Sequence, residues 1–137
     1  MTDPTAARLV VADDEPDIRR LVSFTLRRRG YTVLEAADGD AAYGLIARER
    51  PDLAILDVMM PGMTGIEVIR RLRQSEELAA IPVVLLSAKG QMREIEDGLG
   101  SGAAAYIVKP FTPAALARQV EGLLGARQGT ETAHAHP

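Results

Sequence analysis

The sequence LVVADDEPDIRRLVSFTLRRRG, from Leu9 to Gly30, places an apolar run, three acidic residues and an amphipathic pattern in direct succession. The run from Leu9 to Ala12 is short and unbroken, which is typical of a strand buried on both faces. After Pro16, which suits the first turn of a helix, apolar residues recur at helical spacing until Gly30, a typical helix end. The segment therefore predicts one strand and one helix with acidic residues at their junction.

The same alternation continues along the chain. Four further strand-like runs are Thr32 to Leu34, Leu53 to Leu56, Val83 to Leu86 and Ala105 to Val108. Further helices are predicted from Asp38 to about Arg50, after the possible capping box of Thr64 and Glu67, over roughly Gln91 to Gly100, and from Thr112-Pro113 to Gly125. Strands that alternate with helices predict an α/β fold, with a parallel sheet covered by helices on both faces.

The length of 137 residues suits one domain. We expect this domain to occupy residues 1–125. Beyond Gly125 the sequence is rich in Gly, Thr, Ala, Gln and His and has no apolar periodicity. Residues 126–137 are therefore expected to form a disordered C-terminal tail.

The composition, with 47% hydrophobic and 26% charged residues, is that of a globular protein. No apolar run approaches the roughly 20 residues of a membrane span, and the first residues lack the pattern of a secretory signal. A cytoplasmic location is expected. The formal net charge of -3 provides no basic footprint for nucleic acid, so direct nucleic-acid binding by this chain is not expected.

The side chains that are missing restrict the chemistry further. There is no Cys, which excludes disulfides, thiolate nucleophiles and Cys-ligated metals. The only histidines, His134 and His136, lie in the predicted tail, so a histidine base or ligand within the fold is not expected. Of the 16 basic residues only Lys89 and Lys109 are lysines. Carboxylates, hydroxyls, Arg and Lys must carry any chemistry.

Polar residues follow four of the predicted strands: Asp13 to Glu15, Asp57, Ser87 and Lys109. Each has an ordinary structural explanation as well. Acidic residues can cap a helix, a strand-end hydroxyl can bond to backbone, and a lysine can extend along the surface. Asp57, directly after an apolar run, is the hardest to explain structurally. In a parallel sheet joined by right-handed crossovers, the carboxyl ends of the strands meet at one edge, where ligands bind.

Three carboxylates at one edge require positive charge nearby. Two unit charges about 4 Å apart repel by about 4 kcal/mol at an effective dielectric constant near 20. Without His or Cys ligands, an all-oxygen set suits Mg²⁺ or Mn²⁺ together with a phosphate. Lys109 and Ser87 would then be available to hold phosphoryl oxygens. This combination predicts phosphoryl transfer with a carboxylate as the nucleophile.

These motifs resemble those of the receiver domain of two-component response regulators. The resemblance rests on Asp13-Asp14, on LDVMMPGMTG around Asp57, on Ser87-Ala88 and on GAAAYIVKPF, which contains Lys109-Pro110-Phe111. It covers about Arg8 to Leu124. It implies a doubly wound, flavodoxin-like (βα)5 fold with a five-stranded parallel sheet in strand order 2-1-3-4-5.

The resemblance also implies the roles of individual residues. Asp57 would accept a phosphoryl group from a histidine kinase or a histidine phosphotransfer protein, in contact with Lys109 and Ser87. Mg²⁺, for which Mn²⁺ may substitute, would be bound by Asp14, Asp57 and the carbonyl group of Met59, with Asp13 acting through water. The Lys109-Pro110 peptide bond is expected to be cis.

Tyr106 and Ser87 are the expected switch residues, because in receiver domains the aromatic residue turns inward when the hydroxyl is drawn to the phosphoryl group. The output would be a changed surface on the fourth helix, the fifth strand and the fifth helix, recognised by a downstream target protein. Strand alternation places Tyr106 and Lys109 on opposite faces of the fifth strand. The domain itself would be a signalling module rather than an enzyme, catalysing only its own phosphorylation and dephosphorylation.

Two departures from the family pattern change the expectations. Ala104-Ala105 replaces an acidic pair that joins a charged dimer surface in many DNA-binding members, and its loss weakens the case for that type of dimer. The expected state is a monomer or a phosphorylation-dependent homodimer. Met59 and Lys89 occupy positions that tune the access of water to the phosphoryl group. Because they differ from the residues of fast chemotaxis regulators, they predict a longer-lived phosphorylated state.

The leading hypothesis from the sequence is a stand-alone receiver, since no second domain follows Gly125. The alternative is the N-terminal receiver of a longer DNA-binding transcriptional regulator. An enzymatic alternative, an aspartyl-phosphate hydrolase, is disfavoured because the acids after the first strand are adjacent rather than spaced as Asp-x-Asp.

Overall fold

The computed structural model describes the backbone of residues 6–88 and 102–135, and the side chains of residues 6–88 and 102–125. Its five strands are β1 (Arg8–Ala12), β2 (Thr32–Ala36), β3 (Leu53–Asp57), β4 (Val83–Ala88) and β5 (Ala105–Lys109). They form one parallel sheet in the order β2-β1-β3-β4-β5. The predicted strands, their parallel arrangement and their order are confirmed.

The helices of the described residues are α1 (Pro16–Arg28), α2 (Gly39–Glu49), α3 (Gly65–Arg73) and a C-terminal helix (Pro113–Ala135). Two apolar clusters show how these helices cover the sheet. One contains Ile46 of α2 and Ile69 of α3, and the other contains Leu26 of α1 and Leu116 of the C-terminal helix. Because both faces of the sheet are covered, all five residues of β3 are buried, which explains its unbroken apolar sequence.

Local side-chain chemistry determines where the helices begin. The Asp38 carboxylate accepts a hydrogen bond from the Ala41 backbone N–H at the start of α2, at 2.8 Å. Thr64 and Glu67 form the predicted capping box at the start of α3, with two reciprocal bonds of 3.1 Å. Each side chain satisfies a backbone donor that the helix leaves free. These caps set the turns that follow the strands.

The end of the last helix differs from the prediction. The helix continues past Gly125 to Ala135, so the expected helix end at Gly125 is wrong. The division into a domain over 1–125 and a tail over 126–137 stays a prediction. Gly125 is not among the glycines with positive φ, which are Gly30, Gly62 and Gly102. A glycine ends a helix only when it adopts the left-handed conformation, and the following Ala, Arg and Gln residues are good helix formers.

Other expectations fall outside the part of the chain that the structure describes. These are the predicted helix over roughly Gln91 to Gly100 and the position of Lys89. Among the described residues, no helix combines the length and apolar character needed to cross a membrane.

Candidate functional site

The polar ends of four strands meet at one edge of the sheet. Asp13 follows β1, and Asp57, Ser87 and Lys109 lie at the carboxyl ends of β3, β4 and β5. The parallel register pairs Asp57 with Leu86 and Ser87 with Val108, which brings these ends level. The sheet thus assembles residues that are far apart in the sequence, as expected for strand ends in a doubly wound fold.

Three carboxylates form the centre of this edge. One oxygen from each of Asp13, Asp14 and Asp57 lies within 4.8 Å of the others. Asp13 is fully buried and Asp57 is 5% exposed, whereas Asp14 is open to solvent. The two acids of the β1 end therefore differ in environment, and Asp14 provides the accessible side of the cluster.

Lys109 supplies the positive charge nearest to this cluster. Its Nζ lies 3.0 Å from Asp13 Oδ2, 3.4 Å from Asp57 Oδ2 and 3.4 Å from Glu15 Oε1, and its side chain is 14% exposed. One ammonium thus faces three carboxylates, and Asp14 adds a fourth to the cluster. A site with this surplus of oxygen ligands, with Asp14 and Glu15 open to solvent, fits a hard divalent cation.

The charges of the site change the proton affinities of its members. Burial, with added repulsion from Asp13, raises the pKa of Asp57 from 3.8 to about 6, although Lys109 opposes the rise. Burial by itself would lower the pKa of Lys109. The hydrogen bond to Asp13 and the negative charges of Asp57, Asp13 and Glu15 outweigh it, so the pKa of Lys109 is raised. Lys109 is therefore a permanent cation at neutral pH.

The cis peptide bond expected between Lys109 and Pro110 is present. Ser87 is fully buried, and its hydroxyl has no hydrogen-bond partner among the described residues. An unpaired buried hydroxyl is unusual, because proteins satisfy most such groups. It leaves Ser87 Oγ free to bond a group that enters the site.

Tyr106 lies on the same face of the sheet as Ser87. The register pairs Leu85 with Tyr106 and Ser87 with Val108, and directly paired residues of neighbouring strands point the same way. Tyr106 is half-buried and packs against the apolar cluster that contains Leu85. The two expected switch residues are thus neighbours on one face, two positions apart along the strands.

The loop after β3 approaches Asp57 closely. Met59 is 50% exposed, and Gly65 begins α3 beside the backbone of Asp57. A Cβ atom on Gly65 would lie 2.4 Å from the Asp57 carbonyl oxygen and 2.9 Å from Leu85 Cδ2. Only glycine fits there without displacing the strand that carries Asp57.

Sequence reasoning missed two residues that contact the site. The sequence places Glu15 among the strand-end acids but does not predict its contact with Lys109, at 3.4 Å. It indicates no role for Arg19, whose guanidinium donates to the backbone carbonyl of Asp13 at 2.8 Å. No local pattern marks either contact, because both depend on how α1 leaves the sheet.

Comparison with protein families gives one match across most of the chain. The family model described as the response regulator receiver domain matches residues 9–121. Among curated proteins, the phosphate regulon transcriptional regulatory protein PhoB of Pseudomonas aeruginosa is 40% identical over 116 residues, which cover 85% of this chain and 51% of that protein. The transcriptional regulatory protein ResD of Bacillus subtilis is 38% identical over 134 residues, 98% of this chain and 54% of that protein. The chain therefore spans about half the length of these relatives.

Solved structures of similar length also match. A putative response regulator from Chloroflexus aurantiacus is 32% identical with a TM-score of 0.84, and the match covers 88% of this chain and 99% of that one. The chemotaxis response regulator CheY4 of Vibrio cholerae is 35% identical with a TM-score of 0.80, covering 85% of this chain and 98% of that one.

Proposed function

The chain belongs to the response regulator receiver family, and from this we propose that it accepts a phosphoryl group on Asp57 and passes the signal to a protein partner. The donor is the phosphohistidine of a sensor histidine kinase or of a histidine phosphotransfer protein. The domain is a signalling module of a two-component system, and its only catalysis is its own phosphorylation and dephosphorylation. A cytoplasmic location remains a prediction.

One observation carries this proposal: three carboxylates lie within 4.8 Å of one another, and among the described residues one ammonium, that of Lys109, pairs with two of them. Negative charge at this density is unfavourable unless a cation completes the site. Asp57 is the best placed acceptor, because it lies nearly buried at the end of β3 and contacts both Lys109 and the acidic pair. Asp14, open to solvent, is the natural first contact for an incoming Mg²⁺.

In the proposed reaction, a carboxylate oxygen of Asp57 forms a bond to phosphorus while the bond between phosphorus and the donor imidazole nitrogen breaks. Lys109, 3.4 Å from Asp57 in the structure, moves its ammonium from carboxylate oxygens to a phosphoryl oxygen. Ser87 donates its free hydroxyl to another phosphoryl oxygen. Bound Mg²⁺ supplies charge neutralisation for the transferring group. Asp14, Asp57 and the Met59 carbonyl would hold it, and Asp13 would act through water.

Ser87 and Tyr106 connect the phosphorylation site with the surface around β5 and the C-terminal helix. A hydroxyl drawn from its buried position by a phosphoryl group leaves space on the face of the sheet that Tyr106 shares. We propose that Tyr106 then turns inward and alters the surface around β5 and the C-terminal helix. The phosphoryl group stabilises this state only through the contacts that it makes differently with Ser87 and Lys109.

Incubation with acetyl phosphate and Mg²⁺, followed by intact mass measurement, tests the proposal. We expect one added phosphoryl group, absent in Asp57→Asn and absent when EDTA replaces Mg²⁺. Glu76→Gln, which removes an exposed carboxylate outside the site, is the matched control and should label like the wild type. Labelling of Asp57→Asn to the wild-type extent would contradict the assignment of Asp57.

The exposure of Met59 favours a longer-lived phosphorylated state. An apolar side chain two residues after the acceptor would hinder the approach of water to the phosphoryl group. Loss of the added mass after removal of acetyl phosphate measures the lifetime. Met59→Asn should shorten it, and an unchanged decay would contradict this role.

A second candidate function is that of the receiver portion of a longer transcriptional regulator. It is favoured by relatives such as PhoB and ResD, which carry the names of transcriptional regulatory proteins and are about twice as long as the matched region. In that case the downstream target is a DNA-binding domain on the same polypeptide. Sequencing the natural reading frame through and beyond the codon for Pro137 distinguishes this arrangement from a stand-alone receiver.

A further inference from the structure

We propose that Arg19 is a positioning residue for the acidic pair Asp13-Asp14, anchored in turn by Glu35 on the neighbouring strand. The inference rests on the proposed function, since it concerns how the chain prepares its Mg²⁺ site. It assigns the arginine no contact with the phosphoryl group.

The first step in the argument is the atom that Arg19 holds. Its Nη1 donates to the backbone carbonyl of Asp13 at 2.8 Å. That carbonyl belongs to the peptide unit that joins Asp13 to Asp14, and a peptide unit is planar. Fixing its oxygen therefore restricts the directions in which both acidic side chains leave the backbone.

The second step is that the other contacts of Asp13 do not reach this carbonyl oxygen. The Asp13 backbone N–H donates to the Ala36 carbonyl at 3.3 Å, and the side-chain oxygens accept from the Glu15 backbone N–H at 2.9 Å and from Lys109 at 3.0 Å. Among the described residues, one hydrogen bond is found to the carbonyl between the two acids, and Arg19 donates it. Lys109, moreover, must release Asp13 in part if it is to bind a phosphoryl oxygen.

The third step is the anchoring of Arg19 itself. Its Nε lies 3.4 Å from Glu35 Oε1, and the other oxygen of Glu35 lies 3.2 Å from Arg27 Nη2. Glu35 is paired with Val11 in the register of β1 and β2. The side chains of Arg19 and Glu35 are 18% and 28% exposed, so this ion pair is less screened than one at the open surface. The planar guanidinium can thus bridge a fixed carboxylate and a fixed carbonyl.

Direct Mg²⁺ titration separates positioning from charge. Arg19→Gln removes a cation from the neighbourhood of an acidic cluster, so a purely electrostatic effect would tighten Mg²⁺ binding. Loss of positioning would instead weaken Mg²⁺ binding. Removing a hydrogen bond that orients metal-binding residues typically lowers the metal affinity about tenfold or more. Arg20→Gln, at the exposed neighbouring position, is the matched charge control.

The experiment measures Mg²⁺ dissociation constants by isothermal titration calorimetry, at low salt and at about 0.5 M KCl to screen remote charges. We expect the Kd of Arg19→Gln to rise about tenfold over that of the wild type, and that of Arg20→Gln to stay equal or fall. The labelling rate of Arg19→Gln with acetyl phosphate should recover at saturating Mg²⁺, because the arginine acts on metal affinity and not on the transfer itself. Urea unfolding in EDTA shows separately whether Arg19→Gln is folded under these conditions, because bound Mg²⁺ would also rescue a partly unfolded protein.

Glu35→Gln provides a second, independent readout. It should weaken Mg²⁺ binding in the wild-type background and have no further effect in the Arg19→Gln background, because Glu35 acts through Arg19. If Arg19→Gln does not fold, Glu35→Gln alone decides, and an unchanged Kd overturns the inference. A Kd for folded Arg19→Gln no higher than that of Arg20→Gln also overturns it. Failure of the wild type to bind Mg²⁺ would instead refute the proposed function.

Discussion

The ammonium of Lys109 lies 3.0 Å from the Asp13 carboxylate, a residue 96 positions away in the sequence. The same nitrogen lies 3.4 Å from Asp57. In the metal-free protein this single cation offsets the repulsion among the acids of the sheet edge. The behaviour of the site toward pH, mutation and Mg²⁺ follows from this arrangement.

Lys109→Met should destabilise the metal-free protein more at pH 8 than at pH 5. The pKa of Lys109 is raised, so its stabilising charge is fully present across this range and is lost only at higher pH. The pH difference therefore comes from Asp57, whose pKa of about 6 in the wild type rises further without Lys109. Ionised Asp57 at higher pH then repels Asp13 without compensation. We expect the free energy of unfolding of Lys109→Met to be lower than that of the wild type by about 3 kcal/mol at pH 8.

Urea unfolding in EDTA measures this difference, and Lys109→Arg, which keeps the charge, is the control. Equal losses at both pH values would contradict this account.

Asp57→Asn should stabilise the metal-free protein above pH 6. The pKa of Asp57 is higher in the folded state, about 6 instead of 3.8, so folding disfavours its ionised form and wild-type stability falls as pH rises through this window. The neutral amide avoids that cost, which amounts to at most about 3 kcal/mol. Thermal and urea unfolding of both proteins between pH 4 and 8 in EDTA should show curves that converge toward pH 4. Added Mg²⁺ should stabilise the wild type and not the variant.

Ser87→Ala should leave the unphosphorylated protein as stable as the wild type, or more stable by about 1 kcal/mol. The hydroxyl is buried without a partner, so it loses its hydrogen bonds to water on folding and gains none in return. Its removal avoids this cost. Ser23→Ala, which removes the other unpartnered buried hydroxyl of the described residues, is the matched control. Amide NMR spectra recorded with acetyl phosphate and Mg²⁺ should show shifts in β5 for the wild type and for Ser23→Ala. Wild-type shifts at Tyr106 in Ser87→Ala would exclude the proposed link between the two residues.

Gly65→Ala should destabilise the fold by about 2 kcal/mol and slow labelling of Asp57. The added methyl group would approach the Asp57 carbonyl oxygen to 2.4 Å, so the strand end that carries the acceptor must shift. Gly44→Ala is the control, because nothing lies within 4 Å of a Cβ atom there. Within α2 this second change should stabilise the protein by up to about 1 kcal/mol. Chemical unfolding and the rate of mass increase with acetyl phosphate measure both effects.

The elements that depend only on residues close to one another in the sequence could be predicted. The capping box of Thr64 and Glu67 and the buried run that ends at Asp57 are local, because each arises from hydrogen bonds or periodicity within a few residues. The end of the last helix could not be predicted. Gly125 adopts a left-handed conformation only if tertiary or solvent contacts favour it, and in the structure the helix passes through it.

The sequence by itself determined the strands, the helix starts and the polar residues at the strand ends, because these follow from hydrophobic period and local capping. Only the tertiary structure decided which polar groups meet. The register of β4 and β5 places Tyr106 on the face of Ser87, and the exit of α1 from the sheet brings Arg19 to the Asp13 carbonyl. The first of these contacts joins separate strands, and the second depends on the direction in which α1 leaves the strand end. Hydrophobic period and local capping therefore predict neither.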